Sequence, residues 1–535
     1  MKQYTGVIVV ICLLVGFFAG IQLTDSRNTI TTSCVDNKLN EMLGIIQTNY
    51  VDSTDIDSII EKCLPKVISE LDPHSVYIAK QDVEATNSDL QSSFSGIGIR
   101  FTIQDDTIYI SDVIRGGPSE KVGILAGDRI IKVNDTLFVG KGVCTNETSI
   151  KKLKGPKGSF VKVGIERYGE KELLDFNIRR DEIPVESIEA TYMINGKWGY
   201  VQVERFAENT FAEFIQALAM FISNNAQGII IDLRGNGGGY LGIALEMANQ
   251  FLGKDEIIVY TEGEHSEKNI ERANGYGMFQ NTPLVILVDE TSASASEIIA
   301  GTIQDNDRGT IIGRRTFGKG LVQQPFEFSD GSMMRLTIAR YHTPSGRCIQ
   351  KPYTKGDKYE YENDLVERYN RGEFFSQDSI HQNEDLIYKT RKGRTVYGGG
   401  GIMPDIFVSS DTTDMTSYSQ EAFARGLISR YALQYSNHNR HDLLKYNGYE
   451  ELVGYLETQP ILDDFVEFAT KKGLKRRNNL IAKSKDILTR SLYSNIIYQI
   501  QGMSEHVKFI NLEDPTVLKA IEVLEKGEAF PKAES

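Results

Sequence analysis

Behind Lys2, residues 6–23 form an almost uncharged apolar run, about long enough to cross a hydrocarbon core. Apolar positions then recur at helical spacing, first at Leu39, Met42, Leu43 and Ile46, then at Ile59, Ile60, Leu64, Val67, Ile68 and Leu71. This predicts a small helical cap over 34–90, ended by Leu71-Asp72-Pro73-His74-Ser75, where the proline holds Asp72 in an extended or turn conformation. From Gly96 to Arg180 the period shortens to that of strands, at 97–103, 108–114, 129–133 and 160–167, with short helices at 119–122 and 146–153. Residues 181–410 read as α/β: strands at 198–203, 228–233, 257–260, 284–289, 310–313 and 334–339, and helices at 210–224, 241–252 and 296–304. Residues 350–395 are polar and look like an insertion. Beyond 411 the pattern is helical and carries no readable motif.

The β-rich stretch over 91–180 resembles a PDZ domain. Its Ser95-Gly96-Ile97-Gly98-Ile99 is similar to the loop that holds a peptide's terminal carboxylate, and residues 117–134 follow the family's central stretch nearly throughout. In such domains a peptide's last residues add a strand to a sheet edge. Gly96, Ile97, Gly98 and Ile99 are therefore the expected peptide-binding residues; the plainer alternative is a bulge formed by the two glycines.

Three segments of the α/β region carry chemistry. The strand at 228–233 runs into Arg234-Gly235-Asn236-Gly237-Gly238-Gly239, whose backbone N–H groups could converge on a phosphate or on a developing oxyanion. Gly237, Gly239 and Gly242 satisfy a dinucleotide fingerprint with Glu262 about twenty residues on, but Asp232 and Arg234 interrupt the passage from strand to glycines. The second segment, Ser292-Ala293-Ser294-Ala295-Ser296-Glu297, contains a capping box in Ser294 and Glu297. Three alternate serines exceed what one cap requires, and a strand-to-helix turn gives a nucleophile both exposure and a helix amino end. The third is Thr316-Phe317-Gly318-Lys319-Gly320. A lysine acting as general base must be neutral, its pKa brought from roughly 10.4 to about 7 at a cost of about 4 kcal/mol by burial and an apolar neighbour such as Phe317. Gln323, four residues on, could orient the amine. His342 is a candidate Ser-His partner for Ser294, although Thr343-Pro344-Ser345-Gly346 beside it suggests a strand-end turn.

Composition narrows the class. A net charge of −14 argues against nucleic acid as a partner, since phosphate binding needs a basic stripe. The five cysteines, Cys12, Cys34, Cys63, Cys144 and Cys348, show no metal-ligand spacing; a Cys34–Cys63 pairing stays open. No H-E-x-x-H occurs, and His438 with His441 lies in a polar stretch. The amino-terminal run lacks a clean small-residue cleavage site, so residues 1–25 fit an uncleaved membrane anchor better than a cleaved signal.

Taken in order, the glycine loop, the serine turn, the F-G-K-G segment, Tyr341 to Gly346 and Gly398-Gly399-Gly400-Gly401-Ile402-Met403-Pro404-Asp405 resemble the C-terminal processing peptidases, also called tail-specific proteases. The resemblance covers roughly residues 34–410. It implies a crotonase-like α/β spiral core over 181–410, with an inserted PDZ-like domain over 91–180 and a helical cap before it. The mainly helical extension over 411–535 lies outside the common pattern and is open to capping the core, forming a homodimer or binding a regulator. The resemblance makes Ser294 the nucleophile, Lys319 the base 25 residues on (319 minus 294) and Gln323 the residue orienting the lysine. It places the oxyanion donors at the N–H of Ala295 and of Gly237 or Gly238. Acyl transfer by such a pair needs no metal or organic cofactor. The implied partners are proteins with exposed C-terminal tails and, through residues 6–23, a membrane. The implied location is the periplasmic side of a bacterial inner membrane. The reading from another class is a catalytically inert, membrane-tethered peptide-binding scaffold that uses the PDZ-like edge alone.

Overall fold

The structure, a computed structural model, describes residues 36–88 and 93–533. The proposed anchor at 6–23 lies outside the described residues, as do Cys12 and Cys34, and with Cys34 the Cys34–Cys63 pairing; among the described residues Cys63, Cys144 and Cys348 are free thiols. The chain divides into two compact units, Met1–Ile68 and Ser69–Ser535. In the first, the described residues form the helix Asp36–Asn49 and most of the helix Ile56–Ser69.

The second unit is built on a six-stranded sheet in the order Ile188–Ile194, Trp198–Val203, Gly228–Asp232, Leu284–Val288, Thr310–Gly313 and Ile406–Phe407. Only the first pair is antiparallel. Its inner strands Gly228–Asp232, Leu284–Val288 and Thr310–Gly313 carry continuous apolar stretches because both faces are covered. Alternate residues point to opposite sides. Ile229, Ile231, Ile286 and Val288 pack with the helices Thr210–Ser223, Leu241–Asn249 and Ala295–Asp305. Ile230, Val285, Leu287 and Ile312 pack with Val507, Val517, Ala520, Val523 and Leu524, so the end of the C-terminal extension supplies the other layer. The rest of the extension, residues 418–497, buries a helical core of its own.

A second sheet holds Val76–Ile78, Met333–His342, Ile257–Gly263 and Ser266–Arg272, with Leu321–Glu327 also paired to Met333–His342. This revises the expectation for residues 71–78. They do not merely end a cap but run into a strand registered on Arg335, Met334 and Met333. The insertion at 350–395 is likewise structured, its helix Tyr359–Asn370 burying Tyr361 and Arg368.

The stretch 99–179 forms a separate antiparallel sheet in the order Ile99–Gln104, Thr107–Val113, Arg129–Val133, Phe160–Glu166 and Leu174–Arg179, over its own apolar core. The helix Asn146–Leu153 matches the sequence expectation, and Pro118–Val122 ends at Gly123 in the left-handed conformation. Ile99–Gln104 is an edge strand, so among the described residues one side of its backbone has no ladder partner.

Candidate active site

The strand Leu284–Val288 delivers the chain to Asp289, whose Oδ1 accepts from the backbone N–H of Thr291 and Ser292 at 3.0 and 3.1 Å. The three alternate serines then divide their labour. Ser292 Oγ donates to Leu233 O at 2.8 Å and Ser296 Oγ to Asn236 O at 2.9 Å, so the outer two staple the turn to the end of the neighbouring strand and to the glycine loop. The middle one, Ser294, sits at φ 55° and ψ −113°, a strained conformation for a residue with a Cβ. Such strain is held in place only where the surroundings over-determine it, and here they do.

Glu297 is the chief restraint. Fully buried, its carboxylate accepts from Ser294 N at 2.9 Å, as a capping box requires. It also accepts from Gly318 N at 2.7 Å, Lys319 N at 2.8 Å and Thr316 Oγ1 at 2.5 Å. One side chain thus fixes both candidate reacting residues. Burial pushes this carboxyl up to about 7, against the pull of those four donors. Tyr341 adds a second tie, its hydroxyl within hydrogen-bonding reach of both Ser294 O, at 3.2 Å, and Lys319 O.

The Lys319 amine donates to Gln323 Oε1 at 3.2 Å. Gln323 cannot turn its amide freely, because its Nε2 donates to His74 O at 2.6 Å and so leaves the oxygen facing the amine. His74 is a site residue that the sequence reading missed. It reaches the site because Ser75 Oγ accepts from Thr337 N at 3.0 Å and the following strand joins the second sheet. Burial, then the charge of Arg335, lowers the Lys319 pKa. The ring of Phe317, the apolar neighbour expected from the sequence, packs on Lys351 Nζ at 4.0 Å and on Tyr361.

The glycine loop abuts the serine turn. Ala293 N donates to Asn236 O at 3.0 Å, and a Cβ on Gly238 would lie 2.7 Å from Ser294 Cβ. Of the two glycines offered as oxyanion donors, Gly238 N–H is committed to Asn236 Oδ1 at 2.8 Å, which leaves the exposed Gly237. Ala295 occupies the first turn of its helix, where backbone N–H groups lack intrahelical acceptors. The dinucleotide alternative loses its acidic partner, since Glu262 faces His342 Nε2 at 3.3 Å. His342 is also removed from the Ser-His alternative: its other nitrogen lies 3.1 Å from Gly346 O and its ring stacks on Tyr260.

Beside the PDZ-like sheet, Gly96 pairs with Asp181 in a separate two-stranded ladder of Ser93–Gly96 with Asp181–Pro184, and Ile97 O accepts from Ser119 N and Oγ at 3.0 and 2.6 Å. Gly98, at φ 75°, turns the chain into the edge strand that begins at Ile99.

Comparison with known proteins decides the class. Residues 197–359 match the model of peptidase family S41, and residues 95–178 match that of the PDZ domain. The chain is 33% identical over 354 residues to the carboxy-terminal processing protease CtpB of Bacillus subtilis (strain 168), covering 63% of this chain and 72% of that one. It is a carboxy-terminal processing protease of peptidase family S41. The carboxy-terminal-processing protease of Bartonella bacilliformis is 32% identical over 351 residues, covering 64% of this chain and 80% of that one. Among solved structures, a photosystem II D1 C-terminal processing protease matches at 24% identity and a TM-score of 0.36, covering 70% of this chain and 93% of that one. Residues 418–502 match a family of unknown function.

For a serine protease, the closeness of Gly238 to Ser294 has a direct consequence. Gly238→Ala is expected to lower kcat by about a hundredfold or more, because the new methyl displaces the serine. It should also cost about 1–3 kcal/mol, since alanine is strained at φ 103°. Steady-state cleavage together with thermal melting separates the two effects.

Proposed function

We propose that this protease uses Ser294 as nucleophile and Lys319 as general base to cut proteins that it receives by their C-terminal tails. The observation that carries this reading is the Glu297 carboxylate, which bonds the backbone N–H of both residues at once and so ties the turn to the lysine segment. The neutral amine leaves Gln323 Oε1, takes the proton of Ser294 Oγ, and the oxygen attacks the scissile carbonyl carbon. The carbonyl oxygen, now negative, accepts from the N–H groups of Gly237 and Ala295. Collapse of the tetrahedral intermediate breaks the C–N bond, and the Lys319 ammonium returns the proton to the departing amine. Water then hydrolyses the Ser294 ester by the same route. The Tyr341 contacts and the Gln323–His74 bond hold the lysine segment in register through both steps.

The tail adds a strand to the open edge of Ile99–Gln104, with its carboxylate at the turn formed by Ile97 and Gly98. Amidating the C-terminus of a tailed substrate is expected to raise KM about tenfold or more with kcat little changed, since a charge-assisted bond is lost at a remote site. Equal KM for the acid and the amide contradicts tail recognition, and no cleavage of either supports the inert scaffold instead. Residues 6–23 would hold the protease on the periplasmic side of a bacterial inner membrane. Protease accessibility in spheroplasts tests that placement.

A further inference from the structure

The C-terminal extension reaches the loop that carries Gly237. Arg234 opens that loop, and two carboxylates hold its guanidinium. Asp232, fully buried, accepts Nε at 2.9 Å and NH2 at 2.6 Å, and takes a further bond from Tyr200 OH at 2.7 Å. On the other side Asp514 accepts NH1 through both oxygens, at 3.0 and 2.9 Å. Asp514 is 280 residues further along the chain. It caps the helix Pro515–Glu525 by accepting from Thr516 N and Val517 N, each at 2.9 Å. That helix is fixed by the apolar layer of Val517, Ala520, Val523 and Leu524 beneath the central sheet.

Most anchors of the glycine loop lie within the catalytic domain. Asp289 accepts from Gly235 N at 3.2 Å, the Asn236 side chain spans Val203 O and Gly238 N at 2.8 Å each, Asn236 O accepts from Ala293 N and Ser296 Oγ, and Gly238 O accepts from Phe206 N at 3.0 Å. The anchor on the Arg234 side chain differs, because Asp514 completes it from outside that domain.

We propose that Asp514 is a positioning residue for the oxyanion-forming loop, so that the end of the C-terminal extension is a working part of the active site. The inference rests on Gly237 N–H being an oxyanion donor. A guanidinium is planar, and a carboxylate at each end of its fork sets both its direction and its rotation. Without Asp514, NH1 has no acceptor, and Arg234 can settle against Asp232 alone, carrying the adjoining backbone with it. An oxyanion donor moved by a fraction of an ångström binds the ground state as before and the transition state less well. The tail-docking edge at Ile99–Gln104 is a different surface, so substrate capture is spared.

The test uses the full chain. Asp514→Ser keeps a hydroxyl able to cap the helix but too short to meet Arg234. Its kcat on a tailed substrate is expected to fall about ten- to a hundredfold with KM unchanged. A peptide aldehyde, which forms a tetrahedral adduct in the same hole, should bind more weakly by the same factor. Should that variant fail to fold, Arg234→Lys supplies the test, because lysine can pair with Asp232 but cannot span both carboxylates. Where both variants fold, the double variant is expected to be no slower than the worse single one. Full kcat in a folded Asp514→Ser, a loss confined to KM, or additive losses in the double variant overturn the inference. Cleavage surviving in Ser294→Ala would instead overturn the assignment on which it rests.

Discussion

Lys319→Ala is expected to abolish tail cleavage almost as completely as Ser294→Ala, with kcat reduced by about 10⁴-fold or more in each and the double variant scarcely worse than either. On the proposed mechanism the two residues act as one unit. A serine hydroxyl without its base is not a nucleophile at neutral pH, and a base without the hydroxyl has nothing to deprotonate. Folding should survive both changes. Removing the amine takes away one hydrogen bond, to Gln323, and relieves the cost of burying a polar group. The backbone N–H of residue 319 continues to meet Glu297 whatever the side chain. Product masses from a tailed protein, with circular dichroism on the same samples, check both halves. His342→Ala is the control. With its ring engaged by Gly346, Glu262 and Tyr260, its loss should cost stability and leave the chemical step intact.

The second large effect is on pH dependence, and it runs through Glu297. The proposed mechanism needs Lys319 uncharged, and burial, then the charge of Arg335, lowers its pKa. Activity also needs Glu297 ionised, because a protonated carboxyl faces four donors with one fewer lone pair to give them. Both titrations favour activity at higher pH, so kcat/KM should rise through the Glu297 value of about 7 and go on rising as Lys319 loses its proton below the usual lysine range. Stability runs the other way. Glu297 has a folded pKa above its unfolded value, so the folded state binds more protons between them. Its stabilising contribution is full below the unfolded pKa and is lost as pH rises through about 7. Glu297→Ala should remove the lower limb together with most of kcat, and lower the melting temperature by orphaning the N–H groups of Gly318 and Lys319. A profile flat through about pH 7 would show that the Glu297 carboxyl does not govern activity.

Much of this was legible from residue order. The apolar runs at 228–233, 284–289 and 310–313 are strands of the central sheet, and Gly123 ends a short helix in the conformation that only glycine adopts easily. What escaped was long-range. A capping box explains Ser294 and Glu297 from local spacing alone, so nothing nearby reveals that the same carboxylate also serves N–H groups 21 and 22 residues away. The outer serines look redundant until Leu233 and Asn236 are seen to accept from them. His74 acts through its carbonyl, which every residue has, and so leaves no trace in the sequence. The role of the C-terminal helices did leave one. Continuous apolar strands need cover on both faces, and the helical spacing of Val517, Ala520 and Leu524 offers a second layer.

The account stands on an uncharged Lys319 amine activating Ser294. Reaction with a fluorophosphonate, read by intact mass and peptide mapping, tests this without any need for a known substrate. The account predicts a single adduct on Ser294 that forms faster as pH rises, persists in His342→Ala and is lost in Lys319→Ala. An adduct on Ser294 that forms at the parent rate in Lys319→Ala and disappears in His342→Ala would contradict it.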